Sequence, residues 1–239
     1  MIDFVKEGKV WHFKDKIIVT DLPSSIKKEA VFPLCYENTY FVENLAVKEG
    51  DDVLDICTGS GILAIFSAQK ASKVHVVDIN QRALQFARLN AKFNDINNIE
   101  FLSGDLFKPV ERMKFDLITA NPPFEPVSYE IEYPLHSVAG KRGTDVLKKI
   151  ISEIDNYVKT NGSFQIISWI PEGGLDTLDN FDKNKYHSFE ITKLQTYSPQ
   201  QVQEYLNTES ARNSLTINFG EEEICLLDVG QSELSEIMN

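Results

Sequence analysis

The stretch DICTGSGILA, Asp55 to Ala64, joins an apolar segment to a helical pattern through two glycines. Residues 53–57 are short and apolar, which is typical of a buried strand, and the apolar run from Ile62 to Gln69 predicts a helix. Glycine at positions 59 and 61 lets the backbone approach a ligand, although a plain strand-to-helix turn also favours small residues. The stretch therefore predicts a strand, a ligand-binding turn and a helix.

The same alternation of strand and helix continues along the chain. Predicted strands comprise residues 53–57, 74–78, 99–102, 115–120 and 163–170, and predicted helices comprise residues 81–94 and 141–158. Weaker patterns predict a sixth strand at 189–196, a short helix at 199–206 and a seventh strand at 222–229. Ahead of the sheet, residues 9–13 and 16–20 predict a hairpin and residues 40–47 a helix. Short strands alternating with helices predict an α/β fold with a parallel sheet covered on both faces.

The bulk composition limits the class of partner. The chain has 239 residues, with 24 Lys and Arg against 36 Asp and Glu, a formal charge of -12. Such a surface repels bulk nucleic acid, which disfavours a nucleic-acid partner without excluding a local basic patch. The charged start of the chain and the lack of a long apolar run predict neither a signal peptide nor a membrane span. Three widely spaced cysteines and scattered histidines predict no metal site, and the expected compartment is the reducing cytoplasm.

The glycine turn, residues 57–61, fits more than one cofactor, and the first interpretation is a dinucleotide. Residues 59–64 fit the dinucleotide fingerprint G-x-G-x-x-A, and Asp78 lies at the end of the next strand, where a carboxylate can accept both ribose hydroxyls. Asp78 could instead cap the helix that begins near Gln81. An NAD-dependent oxidoreductase would also need a hydride-transfer acid, and that interpretation leaves the motif at residues 121–124 unexplained.

The fourth predicted strand ends abruptly at NPPF, Asn121 to Phe124. Two prolines cannot donate to a sheet ladder and so terminate the strand. This strand is expected beside the first one at the switch point of the sheet, where open α/β sheets bind their ligands. A strand-ending turn alone would not call for an asparagine before the prolines and an aromatic ring after them.

Together these motifs resemble the class I S-adenosylmethionine (SAM) methyltransferases. Residues 55–61 resemble the first motif of that family as a whole, and NPPF resembles its motif for methylating a planar, conjugated nitrogen. Gly140-Lys141-Arg142-Gly143-Thr144-Asp145-Val146-Leu147 resembles the segment that follows NPPY in HemK-like glutamine methyltransferases and their small-domain relatives. Tyr36-Glu37-Asn38-Thr39 resembles the P-x-E-D-T stretch of the eukaryotic and archaeal branch, from which Tyr36 and Asn38 depart.

The resemblance implies a fold and a set of site residues. The fold is a doubly wound, mostly parallel seven-stranded sheet whose last strand is antiparallel. Asn121, Pro122, Pro123 and Phe124 would orient the acceptor, and Glu37 and Thr39 would lie in the cofactor pocket. Asp55 would face the amino acid part of SAM, and Asp105 the adenine amino group, with Leu106 and Phe107 against the ring. The implied cofactor-binding residues are Asp55, Cys57, Thr58, Gly59, Ser60, Gly61, Asp78, Ile79, Asp105, Leu106 and Asn121.

The sequence thus predicts an enzyme that transfers a methyl group from SAM to an amide or amino nitrogen. The acceptor is expected to be a protein glutamine or a small molecule; a nucleobase remains an alternative, as does a non-catalytic SAM-binding subunit of a larger complex. The domain is expected to span residues 46–230, after an extension at 1–45 and before a tail at 231–239. The sequence does not indicate an oligomeric state.

Overall fold

The computed structural model describes residues 8–130 and 132–168, together with the strand segments 170–171 and 224–225. Its first elements are β1 (Gly8–Phe13) and β2 (Lys16–Asp21), an antiparallel hairpin. Five parallel strands follow: β3 (Asp52–Ile56), β4 (Lys73–Asp78), β5 (Ile99–Ser103), β6 (Phe115–Ala120) and β7 (Val158–Ile166). They pair in the order β5-β4-β3-β6-β7. Since the chain order reverses between β3 and β6, the switch point lies where the sequence placed it.

Helices cover both faces of this sheet, as the sequence predicted. They are α1 (Tyr36–Glu43), α2 (Ile62–Ser67), α3 (Gln81–Phe93) and α4 (Asp145–Glu153), with 3-10 turns at Lys108–Val110 and Ile154–Asn156. Neighbouring residues of β3 point to opposite faces. Val53 packs with Ala64 of α2 and Leu84 of α3, whereas Leu54 packs with Val110 and with Ile150 of α4.

The bounds predicted for the hairpin and for the elements from β3 to β6 are correct to within two residues. The helix predicted at 40–47 is wrong, because α1 begins at Tyr36. Cys35 is its N-cap, and the Asn38 side chain accepts a hydrogen bond from the Cys35 N–H at 3.1 Å. Cysteine is not among the residues preferred at the N-cap of a helix.

The helix predicted at 141–158 is also too long. Gly140 and Gly143 both have positive φ and close a turn through the Gly143 N–H and the Gly140 carbonyl, so α4 starts only after Thr144. At the other end, β7 begins at Val158 instead of residue 163. Its pairing with β6 shifts register between Phe115 and Leu117, and this bulge contains residues 161–162, which lie between the predicted helix and the predicted strand.

The hairpin lies against α3, where asparagine side chains hydrogen-bond the backbone of β2 as a neighbouring strand would. Asn90 accepts from the Val19 N–H at 2.8 Å and donates to the Val19 carbonyl at 2.9 Å. Asn94 makes the same pair of bonds with Ile17, at 2.9 and 2.7 Å. The outer edge of β2 at these two residues is therefore fully hydrogen-bonded.

The predicted sixth strand and the helix at 199–206 lie outside the described residues. Within the predicted seventh strand, Ile224–Cys225 pairs antiparallel with Ile170–Pro171. The described part of the fold is thus a five-stranded parallel sheet with helices on both faces, a hairpin, and this short pair.

Candidate functional site

A cavity of about 340 Å³ lies at the carboxyl edge of the parallel sheet. Because parallel strands end at the same edge, the segments after β3, β4, β5 and β6 all reach it. The structure brings together there most of the residues that the sequence singled out: Cys57, Thr58, Gly59, Ser60, Asp78, Ile79, Asp105, Leu106, Asn121, Pro122, Pro123 and Phe124. Asp55, Gly61 and Thr39 do not line it.

Asp55 is buried beneath the glycine turn and does not face the cavity. Its two carboxylate oxygens accept from the Thr58 hydroxyl at 2.5 Å and from the Thr119 hydroxyl at 2.8 Å. Burial raises the pKa of Asp55 to about 7. Asp55 thus ties the turn to β6, and its place beside the amino acid part of the cofactor stays a prediction.

Asp78 connects the end of β4 to the glycine turn. Its carboxylate accepts from the Gly59 N–H at 2.9 Å and from the Asn80 N–H at 2.8 Å. Asn80 is the N-cap of α3, since its side chain accepts from the Arg82 N–H at 3.0 Å. The capping role that was the alternative for Asp78 thus belongs to Asn80, and Asp78 lines the cavity.

Gly61 allows close packing between two helices. It has a φ of +80°, and a Cβ there would lie 2.9 Å from the Cβ of Ala87. A side chain at this position would push α2 away from α3, because Cβ atoms do not approach so closely. The second glycine of the turn therefore sets the distance between two helices.

Two residues of the cavity wall, Cys57 and Leu106, have positive φ although neither is glycine. Such backbone conformations cost energy and gather at binding sites. Burial raises the pKa of the Cys57 thiol well above its ordinary value, so the thiol is protonated at neutral pH. Ile79, with 65% of its surface exposed, adds an apolar rim. Phe107 does not reach the cavity, because it is buried against the ring of Tyr157.

The NPPF loop, residues 121–126, is clamped by the segment that follows it. The Glu125 N–H donates to the Ser137 carbonyl at 2.9 Å, and the Ala139 N–H donates to the Glu125 carbonyl at 3.1 Å. Gly143 lies against the Phe124 carbonyl so closely that a Cβ would collide with it. Gly143 thus allows the 140–147 segment to pack closely against the NPPF loop.

Glu125 and Ser137 were not singled out from the sequence, yet both line the cavity. The Ser137 hydroxyl donates to Glu125 Oε1 at 2.9 Å and lies 2.9 Å from Nδ1 of His136. Burial lowers the pKa of His136 to about 4, so this ring is neutral at physiological pH. Nothing in the sequence pattern signals Glu125, because one glutamate after a motif is indistinguishable from a surface residue.

The described residues offer neither a candidate metal site nor a helix that could span a membrane. No three His, Cys, Asp or Glu side chains in that part of the chain are grouped as a metal ion would require. None of its helices combines the length and apolar character needed to cross a membrane.

Comparison with known proteins gives a family. Residues 37–181 match the family model described as the methyltransferase small domain. A putative protein N5-glutamine methyltransferase of Methanocaldococcus jannaschii is 36% identical over 154 residues, 62% of this chain and 77% of that protein. A release factor glutamine methyltransferase of Thermodesulfovibrio yellowstonii is 32% identical over 134 residues, 50% of this chain but only 47% of that protein.

Among solved structures, Trm5 of Methanocaldococcus jannaschii in complex with adenosine aligns over 94% of this chain and 57% of its own. The TM-score is 0.57 and the sequence identity 14%. At this identity the likeness concerns the fold, and it agrees with the class I methyltransferase sheet that the sequence implied.

Proposed function

Because the chain belongs to the methyltransferase small domain family and is a SAM-dependent N-methyltransferase, we propose that its acceptor is the amide nitrogen of a protein glutamine. The observation that carries this proposal is the NPPF loop, which lies in one cavity with the glycine turn and Asp78. Both relatives described above are named as glutamine methyltransferases, which supports the same acceptor.

The cavity has a donor and acceptor arrangement that fits SAM. Asp78 ends β4 beside the glycine turn, where its carboxylate can accept from ribose hydroxyls while keeping its two backbone partners. Ile79 and Leu106 offer apolar faces for the adenine ring, and Asp105 an acceptor for its amino group. The glycine turn and Asn121 then remain for the methionine end. When bound, SAM supplies a methyl group on a positively charged sulfur.

The acceptor role of the NPPF loop follows from the chemistry of amides. An amide nitrogen is a poor nucleophile because its lone pair is delocalised into the carbonyl group. The Asn121 side-chain oxygen and the Pro122 carbonyl can accept its two N–H bonds and so align the lone pair with the methyl group. Phe124 lines the cavity in the same loop and offers a face for the planar amide. No strong base is required, because the nitrogen proton becomes acidic as the methyl group arrives.

The test is transfer of a labelled methyl group from SAM into a fractionated cell lysate. We expect label in the protein fraction, released by enzymatic digestion as N5-methylglutamine. Asp78→Ala is the matched control: it removes a charged acceptor of the ribose hydroxyls, which costs about 1.5–3 kcal/mol of binding. Label confined to RNA or to small molecules would contradict the glutamine proposal, and NADH binding without SAM binding would contradict the cofactor.

The full number of strands and the bounds of the domain are also proposals. We propose that the patterns at 189–196 and 222–229 complete the sheet to seven strands with the last antiparallel. We likewise propose residues 46–230 as the catalytic domain, with 1–45 as an extension that carries the hairpin and all of α1 and with 231–239 as a tail.

A further inference from the structure

Two glutamates from different elements line the same cavity. Glu37 lies in the first turn of α1, and Glu125 directly follows the NPPF motif. Glu125 is 6% exposed and is held by the Ser137 hydroxyl at 2.9 Å. Burial, together with the charge of Glu125, raises the pKa of Glu37 to about 7. We refer to Glu37 and Glu125 as the acid pair.

The acid pair belongs to the methionine and acceptor end of the cavity. The adenosine end is assigned to Asp78, Asp105 and their neighbours, whereas Glu125 shares a loop with Asn121. Of the described residues that line the cavity, Lys149 of α4 is the one with a permanently cationic side chain, and it is exposed to solvent. The described wall of the cavity thus contributes the two carboxylates of the acid pair beside this one exposed cation.

Three titratable side chains near the acid pair carry no charge at neutral pH. The Cys35 thiol, 3.9 Å from Glu37 Oε2, has a pKa raised well above its ordinary value and stays neutral. His136, beside Ser137, is neutral because burial lowers its pKa to about 4. Tyr129 lines the same cavity, and burial raises its pKa, so its hydroxyl stays neutral too.

We infer that the acid pair makes the cavity bind the positively charged methyl donor more tightly than its neutral demethylated product. During transfer the carbon–sulfur bond breaks and its electron pair stays on sulfur, while a carbon–nitrogen bond forms and the nitrogen gives up a proton to solvent. The sulfonium thus becomes an uncharged thioether, which carboxylates do not attract. The loss of this attraction favours product release after each turnover. This inference rests on the proposed function, specifically on SAM as the ligand.

The test is titration calorimetry of the isolated protein with SAM and with S-adenosylhomocysteine. The two ligands share the adenosine and amino acid groups, so the ratio of their dissociation constants isolates the sulfonium charge. We expect SAM to bind about tenfold more tightly at pH 8. Glu125→Gln keeps an oxygen for Ser137 but removes the charge, and should bring the ratio to about two or three. Glu132→Gln, an exposed glutamate of the same loop region, should leave it unchanged.

A second arm uses pH. Because the raised pKa of Glu37 makes it neutral at lower pH, the preference for SAM should fall from pH 8 to pH 6. In Glu37→Gln the ratio should be smaller at pH 8 and nearly independent of pH. If both ligands bind with a ratio that neither variant nor pH changes, the inference is overturned while the cofactor assignment stands. Absence of binding by both ligands would overturn the proposed function and the inference with it.

Discussion

Asn121 and Phe124 stand three residues apart in one loop and line the same cavity. In the proposed mechanism they have different roles: the Asn121 side-chain oxygen acts on the reacting nitrogen, whereas the ring of Phe124 holds the plane of the acceptor. A hydrogen bond that matters most as the lone pair turns towards the methyl group lowers the barrier to the chemical step. A stacking face contributes to binding before that step. The two residues should therefore separate in their kinetic effects.

We expect Asn121→Ala to raise the free-energy barrier of the chemical step by about 1–3 kcal/mol and so to lower kcat, because it removes a positioned acceptor from a closed site. Phe124→Ala should also raise KM, and Phe124→Tyr should keep much of the activity with little change in SAM affinity. Initial rates with the acceptor purified from the labelled fraction provide the measurement. Full turnover by Asn121→Ala would reduce the NPPF motif to a strand-ending turn.

Asp55 makes the stability of the fold depend on pH. Its folded pKa is about 7 against an ordinary value of 3.8, so between these values the folded chain binds more protons than the unfolded one. Its contribution to stability is present below the ordinary pKa and is lost as pH rises towards 7. The loss is on the order of a few kcal/mol for a shift of this size.

Asp55→Asn should remove this part of the pH dependence, because an amide occupies the same place without titrating. Urea unfolding at pH 5 and pH 8 measures it: the stability of the variant should change less with pH than that of the wild type. The exposed Asp95→Asn serves as the control and should shift both values equally. Parallel pH profiles for wild type and Asp55→Asn would show that the buried carboxyl does not govern this dependence.

At the scale of elements, α3 presents one face to the N-terminal hairpin at a spacing of four residues. Arg82 pairs with Asp21 at 2.5 Å, Phe86 packs with Val19, and Asn90 and Asn94 bond the edge of β2. Residues four apart lie on the same side of a helix. One face of a single helix therefore fixes the hairpin onto the sheet domain.

Asn90→Ala should destabilise the fold by about 2–4 kcal/mol, because three buried partners lose their hydrogen bonds. These are the N–H and carbonyl of Val19 and the carbonyl of Ser60. Chemical denaturation gives the value, and Lys92→Ala, an exposed residue on the same helix, should change it by less than about 0.5 kcal/mol. Equal effects of the two substitutions would contradict this role of Asn90.

The sequence predicted β3 to β6 well because each is a short apolar run between clear breaks. It failed where a local signal was atypical. The start of α1 depends on Cys35 as an N-cap, which no propensity suggests. Gly162, a residue typical of turns, lies within the bulge of β7. The helical pattern of apolar residues also extends beyond both ends of α4. At the first end, apolar spacing alone does not indicate that two glycines with positive φ hold the chain in a turn.

The sequence predicted those site residues whose location follows from their position at the end of a strand. Residues at the carboxyl ends of β3 to β6 must meet at one edge, which is why Asp78 and Asn121 line a common cavity. The bonds of Asp55 to Thr58 and Thr119 were not predicted, because the sequence cannot tell which side of a turn a carboxylate faces. Glu125 and Ser137 come together through a loop that returns to the sheet, and no periodicity predicts such a return.

At the scale of the whole molecule, the formal charge of -12 opposes binding to nucleic acid. Non-specific affinity depends on neutralising phosphates, so duplex or bulk RNA should bind only weakly at physiological salt. Fluorescence anisotropy with a labelled RNA hairpin and a duplex DNA of equal length is the measurement. A sub-micromolar dissociation constant for either probe would contradict the preference for a protein acceptor.

The hydrogen-bonded outer edge of β2 also bears on how copies of this chain meet one another. An open strand edge is a template on which a second chain can add a strand, a common route to aggregation and domain swapping. At Ile17 and Val19 that template is already occupied, because the amide groups of Asn94 and Asn90 fill the positions that a neighbouring strand would take. The two asparagines that fasten the hairpin to its own domain thus keep this edge from recruiting another.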